Sequence, residues 1–344
     1  MVTLEEKYKK ENLQNHIYNT PDTYVGGCDL ISEQLPLFNP SNEKIESKDV
    51  EFIPALYNTY NEILVNAKDQ VTRLQGLHEK DKSVNLVSEI KVEINKEKGE
   101  ISIMNNGDGI DVAEHPKEKK NGKPIYIPQL IFGELLTSTN YNKEELKIVG
   151  GKNGYGAKLT NIFSKSFEIE TVDRVRKKKY NQLFRGNMKV ISKPKIRDYS
   201  GKPYTKITWI SDFNRFGIEE YSDDMINLMI RRVYDIAGIT DKSVSVYLNK
   251  KKLSVKSFLD YSRMYLTDET IVYEEVIDNN IPWKIGVTLS KTDKFEQVSF
   301  VNGIANPKGG KHVDMIAKQL TTGLKKLIVK KSKKDINENY IKNY

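Results

Sequence analysis

A loop with four glycines in seven residues, at Gly150, Gly151, Gly154 and Gly156, most constrains how this chain can fold. It reads GGKNGYGAK and enters a segment that predicts a helix from about Ala157. Glycines let the backbone approach an anion closely, and the N–H groups at a helix start point towards such an anion. The loop lacks the Gly-Lys-Ser/Thr ending of a Walker A motif and does not match GxGxxG. By itself it fits a phosphate-binding loop or a surface turn.

Two polar patterns precede this loop. Residues 52–71 (FIPALYNTYNEILVNAKDQV) have apolar residues at helical spacing and predict a helix with Pro54 in its first turn. Glu62, Asn66 and Asp69 align on another face of that helix. Residues 87–95 and 100–105 alternate apolar and polar side chains and predict two strands, the second running into NNGDGI. Taken alone, these patterns also fit a solvated helix face and a plain turn.

Composition excludes several classes of protein. The 344 residues carry 55 basic and 47 acidic side chains, a formal charge of +8, and 38% hydrophobic residues, too many for a disordered polar chain. No stretch approaches the roughly 18 apolar residues of a membrane span, and the N-terminus lacks the apolar core of a signal peptide. The single cysteine, Cys28, excludes an internal disulfide, cysteine-rich zinc sites and CxxC redox chemistry. We therefore expect a reducing, intracellular compartment.

The remaining pattern is mixed. Residues 1–50 show few periodic apolar positions, and 115–124 (HPKEKKNGKP) predict a lysine-rich loop. The predicted helices are 127–136, 223–238 and 312–329; the predicted strands lie between 167 and 210 and at 272–277, 283–290 and 297–304. The 223–238 helix would bury Ile226, Met229, Ile230 and Val233 and stop at Gly238. A domain boundary is expected near Lys256. Two basic runs, 174–179 (RVRKKK) and 325–334 (KKLIVKKSKK), are either solvated faces or contacts with a polyanion.

The ordered series of a Glu/Asn helix, a strand ending in NNGDG and a glycine-rich loop resembles the GHKL ATP-binding fold. The strings EILVNAKD, ISIMNNGDGI, IFGELLTSTNY, GGKNGYGAKLTNIFS, RRVYDIAG and SFVNGIANPKGGKHVD further resemble eukaryotic and viral type IIA DNA topoisomerases, from about Thr20 onward. The resemblance implies an α+β fold. Residues 1–255 would form an N-terminal arm and a GHKL (Bergerat) ATP-binding sandwich, and 256–344 a partial ribosomal-S5-like α/β transducer, incomplete at its C-terminus.

The resemblance also implies roles for individual residues. Glu62 matches the general base that activates water, and Asn66 matches the Mg2+ ligand. Asn105 matches the residue that reads the adenine amino group, and Gly109 would let the backbone pass close to the base. The ribose and triphosphate contacts would be Ser138, Thr139, Asn140, Gly151, Lys152, Asn153, Gly154, Tyr155, Gly156, Ala157 and Lys158.

Outside the nucleotide site, Lys330 and Lys331 match part of a DNA-contacting lysine cluster, interrupted here by Val329. Tyr24 matches an arm that crosses to the partner subunit, although a packed aromatic explains it as well. Asn61 stands where the family usually has an acidic residue, and Asp108 stands where it often has a basic one. We expect Asn61 to alter the hydrogen bonding of Glu62, and Asp108 to reverse a local charge. No Gln-Thr-Lys tripeptide, which supplies the family's γ-phosphate lysine, occurs in the sequence.

The implied function is the ATPase gate of a type II DNA topoisomerase. It would dimerise on Mg-ATP, capture a DNA duplex and drive strand passage, relaxing or decatenating DNA in the intact enzyme. Its partners would be double-stranded DNA, a second copy in a homodimer, and toprim and cleavage domains in cis or on a separate chain. It would involve no membrane and would work in the nucleus or at a viral replication site.

Two kinds of alternative stay open at this point. One is a catalytically silent fragment that binds nucleotide or DNA and pairs with a full-length or split partner. The others are different GHKL proteins. Histidine kinases are disfavoured because only His16 precedes the Asn66 helix, in a polar segment without a dimerisation helix. Chaperones and mismatch-repair ATPases of this superfamily lack the GGKNGYGAKL string.

Overall fold

The computed structural model describes residues 11–135, 156–266, 270–278, 281–290 and 292–343. The chain divides into two units, Met1–Ser257 and Phe258–Tyr344. In the first unit the helices are α1 (Leu13–Asn19), α2 (Pro54–Lys80), α3 (Ile127–Gly133), α4 (Gly156–Ile162) and α5 (Asp223–Ile239). Its strands are β1 (Ile31–Asn39), β2 (Lys44–Phe52), β3 (Glu89–Asn95), β4 (Glu100–Asn106), β5 (Glu114–Lys120), β6 (Lys123–Tyr126), β7 (Ser164–Asp173), β8 (Lys178–Arg185), β9 (Val190–Ile191), β10 (Lys195–Asp198), β11 (Tyr204–Ser211), β12 (Ser245–Leu248) and β13 (Lys251–Lys252).

Among the described residues, one nine-stranded sheet organises this unit in the order β10-β8-β7-β11-β4-β3-β12-β13, with β9 on β8. All of its pairs are antiparallel except β12 with β3. Alternating side chains such as Ile103, Ile207 and Ile169 lie side by side on the buried face. The central strand β4, which runs into NNGDG, packs against α2 on that face.

Helix α2 confirms the predicted core positions. Leu56, Tyr60, Ile63, Leu64 and Ala67 are each at most 4% exposed. Pro54 is in the first turn, as expected, but the helix continues past residue 71 to Lys80. These apolar residues bury one face of α2, which leaves the polar stripe of Glu62 and Asn66 on another.

The predicted apolar stripe of α5 is only partly right. Met229 and Val233 are buried, whereas Ile226 and Ile230 are half-buried. The other buried positions are Met225, Leu228 and Arg232, together with every residue from Tyr234 to Gly238. The helix also passes Gly238 and ends at Ile239, where the Thr240 N–H donates to Ile236 O. The face is rotated because Arg232, which polarity would place outside, finds polar partners in the interior.

Two segments without apolar periodicity form strands. Residues 31–52, for most of which the sequence predicts no element, form the β1–β2 hairpin, which packs against α5; there the Phe38 and Tyr234 rings stack at 4.8 Å. Residues 114–126 form the β5–β6 hairpin instead of a lysine-rich loop. Backbone pairing holds this second hairpin, and its side chains are mostly exposed, so it has no apolar alternation to reveal it.

The second unit contains helices and short hairpins. Its helices are α6 (Phe258–Ser262), α7 (Lys311–Ser332) and α8 (Glu338–Lys342); its strands are β14 (Val272–Asp278), β15 (Ile281–Val287), β16 (Phe300–Val301) and β17 (Ile304–Ala305). β14 pairs with β15 and β16 with β17, both antiparallel. The predicted 312–329 helix is confirmed as α7. In the described part of the chain, no helix combines the length and the apolar composition needed to cross a membrane.

Candidate functional site

The polar face of α2 and the end of the glycine-rich segment meet at Glu62 and Gly156. A Cβ built on Gly156 would lie 2.0 Å from Glu62 Oε2 and 3.0 Å from its Cδ. Any other residue at 156 would therefore collide with the carboxylate unless the carboxylate moved. Glycine at this position lets α4 begin directly against the Glu62 side chain.

Hydrogen bonds fix α4 on the helices beside it. Thr160 Oγ1 donates to Thr59 O on α2 at 2.7 Å, and Asn161 Nδ2 donates to Phe132 O on α3 at 3.0 Å. All residues of α4 after Gly156 are buried. The start of α4 is thus held in a defined position relative to Glu62.

The Glu62 carboxyl is in an environment that disfavours its charge. Burial raises the pKa of Glu62, and the nearby Asp69 carboxylate raises it further. Asp69 is 9% exposed, and its Oδ1 lies 3.6 Å from Lys68 Nζ. A carboxylate with a raised pKa is a stronger base, which suits proton abstraction from water. Asp69 belongs to the polar stripe that the sequence showed, but its effect on Glu62 appears only in the structure.

Asn66 follows Glu62 by one turn of α2, and its side chain is exposed. Its amide oxygen is a suitable ligand for a hard cation such as Mg2+, which keeps several waters and needs few protein ligands. Among the described residues, no group of three or more His, Cys, Asp or Glu could by itself hold a metal ion. The single amide oxygen of Asn66 fits a cation that takes its other ligands from water and from an anionic ligand.

Lys158 places a cation inside the fold near the start of α4. Lys158 is only 2% exposed. Burial lowers the pKa of Lys158 to about 8, and the Glu134 carboxylate opposes this shift. An incoming anion would favour the protonated form of the amine.

At the end of β4, the two asparagines of NNGDG have different environments. Asn106 is bound to the backbone around β3, because its Oδ1 accepts from Ser88 N at 2.8 Å and Glu89 N at 3.0 Å. Asn105 is half-buried, and its Nδ2 donates to Asn106 O at 3.1 Å. In the sheet Asn105 is paired with Ile90, so it lies on the helix-covered face that also carries α2.

Gly109 is required by packing against β7. It has φ +72°, and a Cβ there would lie 1.9 Å from Val172 O. The adjacent Asp108 does not leave a reversed local charge, as the sequence suggested, because Arg174 Nε lies 2.7 Å from its Oδ1. The acidic residue at 108 is neutralised within the fold.

Asn61 also has a partner of its own. Its Oδ1 accepts from Arg232 Nε at 2.7 Å, and Arg232 Nη1 lies 3.3 Å from Asp235 Oδ2. The Asn61 amide oxygen thus faces the buried side of α5. The sequence predicts that Asn61 alters the hydrogen bonding of Glu62. In the described structure the Asn61 amide oxygen accepts from Arg232 instead.

Not every predicted site residue is described. Ser138, Thr139, Asn140, Gly151, Lys152, Asn153, Gly154 and Tyr155 lie outside the described residues. Tyr24 ends a short 3-10 turn, donates from its N–H to Pro21 O at 2.8 Å, and its ring lies edge-on to His16 at 5.9 Å. This position is compatible with a packed aromatic, and the subunit-crossing role stays a prediction.

The two basic runs have different environments. In the run at 174–179, four of the five cations form ion pairs. Their partners lie in the residues after β4 or in the segment 156–266: Arg174 pairs with Asp108, Arg176 with Asp111 and Asp173, Lys178 with Asp198, and Lys179 with Glu170. That run is therefore largely neutralised within the fold. Lys330 and Lys331 are exposed in the last turn of α7. Of the second run, Lys325 pairs with Asp335 at 3.0 Å.

Comparison with known proteins agrees with this architecture. The family model described as DNA gyrase B matches residues 244–344. DNA topoisomerase 2 of Acanthamoeba polyphaga mimivirus is 43% identical over 339 residues, which cover 96% of this chain and 25% of the viral protein. The chain thus spans about a quarter of the length of this relative.

Solved structures match over nearly the whole chain. The ATPase region of Saccharomyces cerevisiae topoisomerase II superposes with a TM-score of 0.84 at 38% identity, covering 98% of this chain and 83% of the yeast chain. The ATPase and transducer domains of DNA topoisomerase II from Balamuthia mandrillaris give 0.87 at 36% identity, covering 99% and 84%. The expected α+β GHKL and transducer architecture is confirmed. The chain belongs to the type IIA DNA topoisomerase family and corresponds to its N-terminal ATPase region.

Proposed function

We propose that this chain binds Mg-ATP between α2, β4 and α4 and hydrolyses it with Glu62 as general base. The observation that carries the proposal is the packing of Gly156 against the Glu62 carboxylate. It joins the end of the glycine-rich segment, where phosphates are expected, to the Glu62 carboxyl on the polar stripe of α2, whose pKa is raised by burial and by the nearby Asp69.

Glu62 would orient a water molecule and take its proton. Burial and Asp69 raise the pKa of Glu62, so the carboxylate is a better proton acceptor than an exposed glutamate. At neutral pH it must still be ionised to act. A raised pKa makes the carboxylate a stronger base but lowers the fraction of it that is ionised at a given pH. Catalytic carboxylates commonly combine these two effects.

Asn66 and Lys158 would hold the charged part of the ligand. The exposed Asn66 amide oxygen would contribute one ligand to Mg2+, and the buried Lys158 amine would contact a phosphate. The Mg2+ ion would neutralise phosphate charge. Ser138, Thr139, Asn140 and 151–155 complete the phosphate and ribose contacts in this proposal.

Asn105 would read the adenine at the other end of the site. It is the NNGDG asparagine on the helix-covered face of β4, whereas the Asn106 side chain is bound to the backbone of Ser88 and Glu89. In this proposal Asn105 marks the base end of the site and Glu62 its phosphate end.

At the level of the whole protein, we propose that ATP closes a homodimer gate around a DNA duplex and that hydrolysis drives strand passage. The family relationship supports this proposal, as do the exposed Lys330 and Lys331, which could contact DNA phosphates. In it, residues 1–255 are the arm and ATPase domain, 256–344 belong to the transducer, and Tyr24 is part of the dimer arm. The location in a nucleus or at a viral replication site stays a prediction.

The test combines a melting scan with a phosphate-release assay. Millimolar Mg-ATP should raise the melting temperature, because a ligand that binds only the folded state stabilises it. Glu62→Ala should lower phosphate release by about 10²–10⁴-fold and leave nucleotide affinity within a few fold. Glu79→Ala, an exposed glutamate near the end of the same helix, is the matched control and should change neither.

The possible outcomes separate the alternatives. No thermal shift in a folded sample would contradict the nucleotide site. Binding of Mg-ATP without phosphate release by the unmutated chain would support the catalytically silent fragment. Release at the parent rate by Glu62→Ala would remove Glu62 from the role of base.

A further inference from the structure

The segment after β4 is attached to the end of β7 and to the turn between β7 and β8 by hydrogen bonds that backbone N–H groups donate. We name residues 107–112 the β4 loop and residues 173–177 the β7–β8 turn. Arg174 N donates to Asp108 O at 3.1 Å, and Ile110 N donates to Thr171 Oγ1 at 3.0 Å. Val112 N donates to Asp173 Oδ2 at 2.8 Å. The β4 loop therefore follows the end of β7 along its length.

Ion pairs connect the same two segments. Arg174 Nε lies 2.7 Å from Asp108 Oδ1, and Arg176 Nη1 bonds to Asp111 and lies 3.0 Å from Asp173 Oδ2. The Asp108–Arg174 pair has side-chain exposures of 21% and 29%, against 59% and 41% for Asp111–Arg176. Because exposed pairs contribute little, Asp108–Arg174 is the pair expected to matter more.

Asp108 links a third segment as well. Its Oδ1 accepts from Asn85 N at 3.0 Å, so one carboxylate joins the chain before β3, the β4 loop and the β7–β8 turn. Neither Asp108 nor Arg174 belongs to the apolar core. Breaking their pair should therefore release the loop locally while the sheet stays folded.

Resting on the proposed function, we propose that Asp108 and Arg174 are positioning residues for the base-binding end of the nucleotide site. Their ion pair holds the β4 loop in place, and the loop continues directly from Asn105 and Asn106 at the end of β4. A loop that is ordered before binding does not lose conformational freedom when the base arrives, which favours affinity. This role also explains why an acidic residue at 108 is compatible with an anionic ligand: Arg174 neutralises it.

The first experiment needs no nucleotide. Hydrogen exchange of the Ile110 and Val112 amides should be faster in Arg174→Asp than in the parent, with core amides of β7 and β11 unchanged. Exchange should slow again in part in the swapped double variant Asp108→Arg/Arg174→Asp, where the pair is restored with reversed charges but the Asn85 N–H loses its acceptor. Unchanged exchange in a folded Arg174→Asp, or in the milder Arg174→Gln if the first variant does not fold, would overturn the proposal.

The second experiment measures Mg-ATP by titration calorimetry. Arg174→Asp should weaken Mg-ATP affinity about tenfold, which corresponds to about 1.4 kcal/mol. The phosphate-release rate at saturating Mg-ATP should stay within twofold, and the double swap should recover part of the affinity. Lys178→Asp is the control, because Lys178 pairs with Asp198 on β10 and does not touch the β4 loop.

The two experiments distinguish the failures. If the parent chain binds no Mg-ATP, the proposed function fails, and hydrogen exchange still decides whether the ion pair orders the loop. If exchange responds to Arg174→Asp while Mg-ATP affinity stays within twofold of the parent, the pair orders the loop without positioning it for the nucleotide, and the proposal is wrong.

Discussion

The Glu62 carboxylate occupies the space that a side chain at Gly156 would need, with Oε2 2.0 Å from the position of a Cβ. The contact joins the middle of a long helix to the first residue of a short one. The carboxylate can keep this position only while residue 156 is glycine. A substitution at 156 can therefore test the geometry of the site separately from the stability of the fold.

Gly156→Ala should therefore impair hydrolysis more than folding. The nearest atom is the end of a flexible side chain, so the added methyl displaces the carboxylate at little cost in stability. A displacement of about 1 Å can lower a catalysed rate about 10²-fold. Phosphate release and thermal unfolding measure the two effects. Gly76→Ala on α2, with open space around its Cβ, is the control: it should gain up to about 1 kcal/mol and keep the parent rate.

Glu62→Gln should make the protein more stable than its parent at neutral pH. The folded-state pKa of Glu62 is raised by burial and Asp69, so ionising this carboxyl costs stability. Above the folded-state pKa the parent bears the whole cost. Below the ordinary glutamate pKa of about 4.3 the carboxyl is protonated in both states and the cost vanishes. Denaturant unfolding of the pair from pH 4 to pH 8 should show a difference that grows with pH; a constant difference would contradict the raised pKa.

Lys158 should make nucleotide affinity depend on pH. Burial lowers the pKa of Lys158 to about 8, so the amine loses its proton as the pH rises through that value. Because a phosphate is attracted to the cation, Mg-ATP affinity should fall between pH 7 and pH 9. Lys158→Gln should bind more weakly at pH 7 and lack this decline. Titration calorimetry at several pH values checks this, and parallel curves for parent and variant would assign the decline to another group.

The exposed lysines at the end of α7 should contribute to duplex binding. Changing Lys330, Lys331, Lys333 and Lys334 to Ala should flatten the dependence of DNA affinity on salt, whose log–log slope is about −0.9 per phosphate neutralised. Lys178→Ala with Lys179→Ala is the matched control, since those cations pair with Asp198 and Glu170. Fluorescence anisotropy with a labelled duplex measures both slopes. Equal slopes in the parent and the quadruple variant would show that these lysines do not contact DNA and form only a solvated face.

Patterns with a strong local signal were predicted correctly. The apolar spacing in α2 places Leu56, Tyr60 and Ile63 in the core, and the apolar alternation predicts the strands β3 and β4. The β5–β6 hairpin was missed because its strands are stabilised by backbone bonds and carry exposed lysines. The α5 face was misplaced because Arg232 is buried, with polar partners in Asn61 on α2 and in Asp235 one turn further along α5.

The quoted motifs carry the resemblance to the family, and local periodicity predicts the helix that bears Glu62 and Asn66 and the strand that ends in NNGDG. The contact of Gly156 with Glu62, the effect of Asp69 on the pKa of Glu62 and the ion pair of Arg174 with Asp108 follow from the packed fold alone. Those relationships join residues far apart in the chain, and their energies depend on distance and burial. Neither quantity is fixed until the helices pack on the sheet.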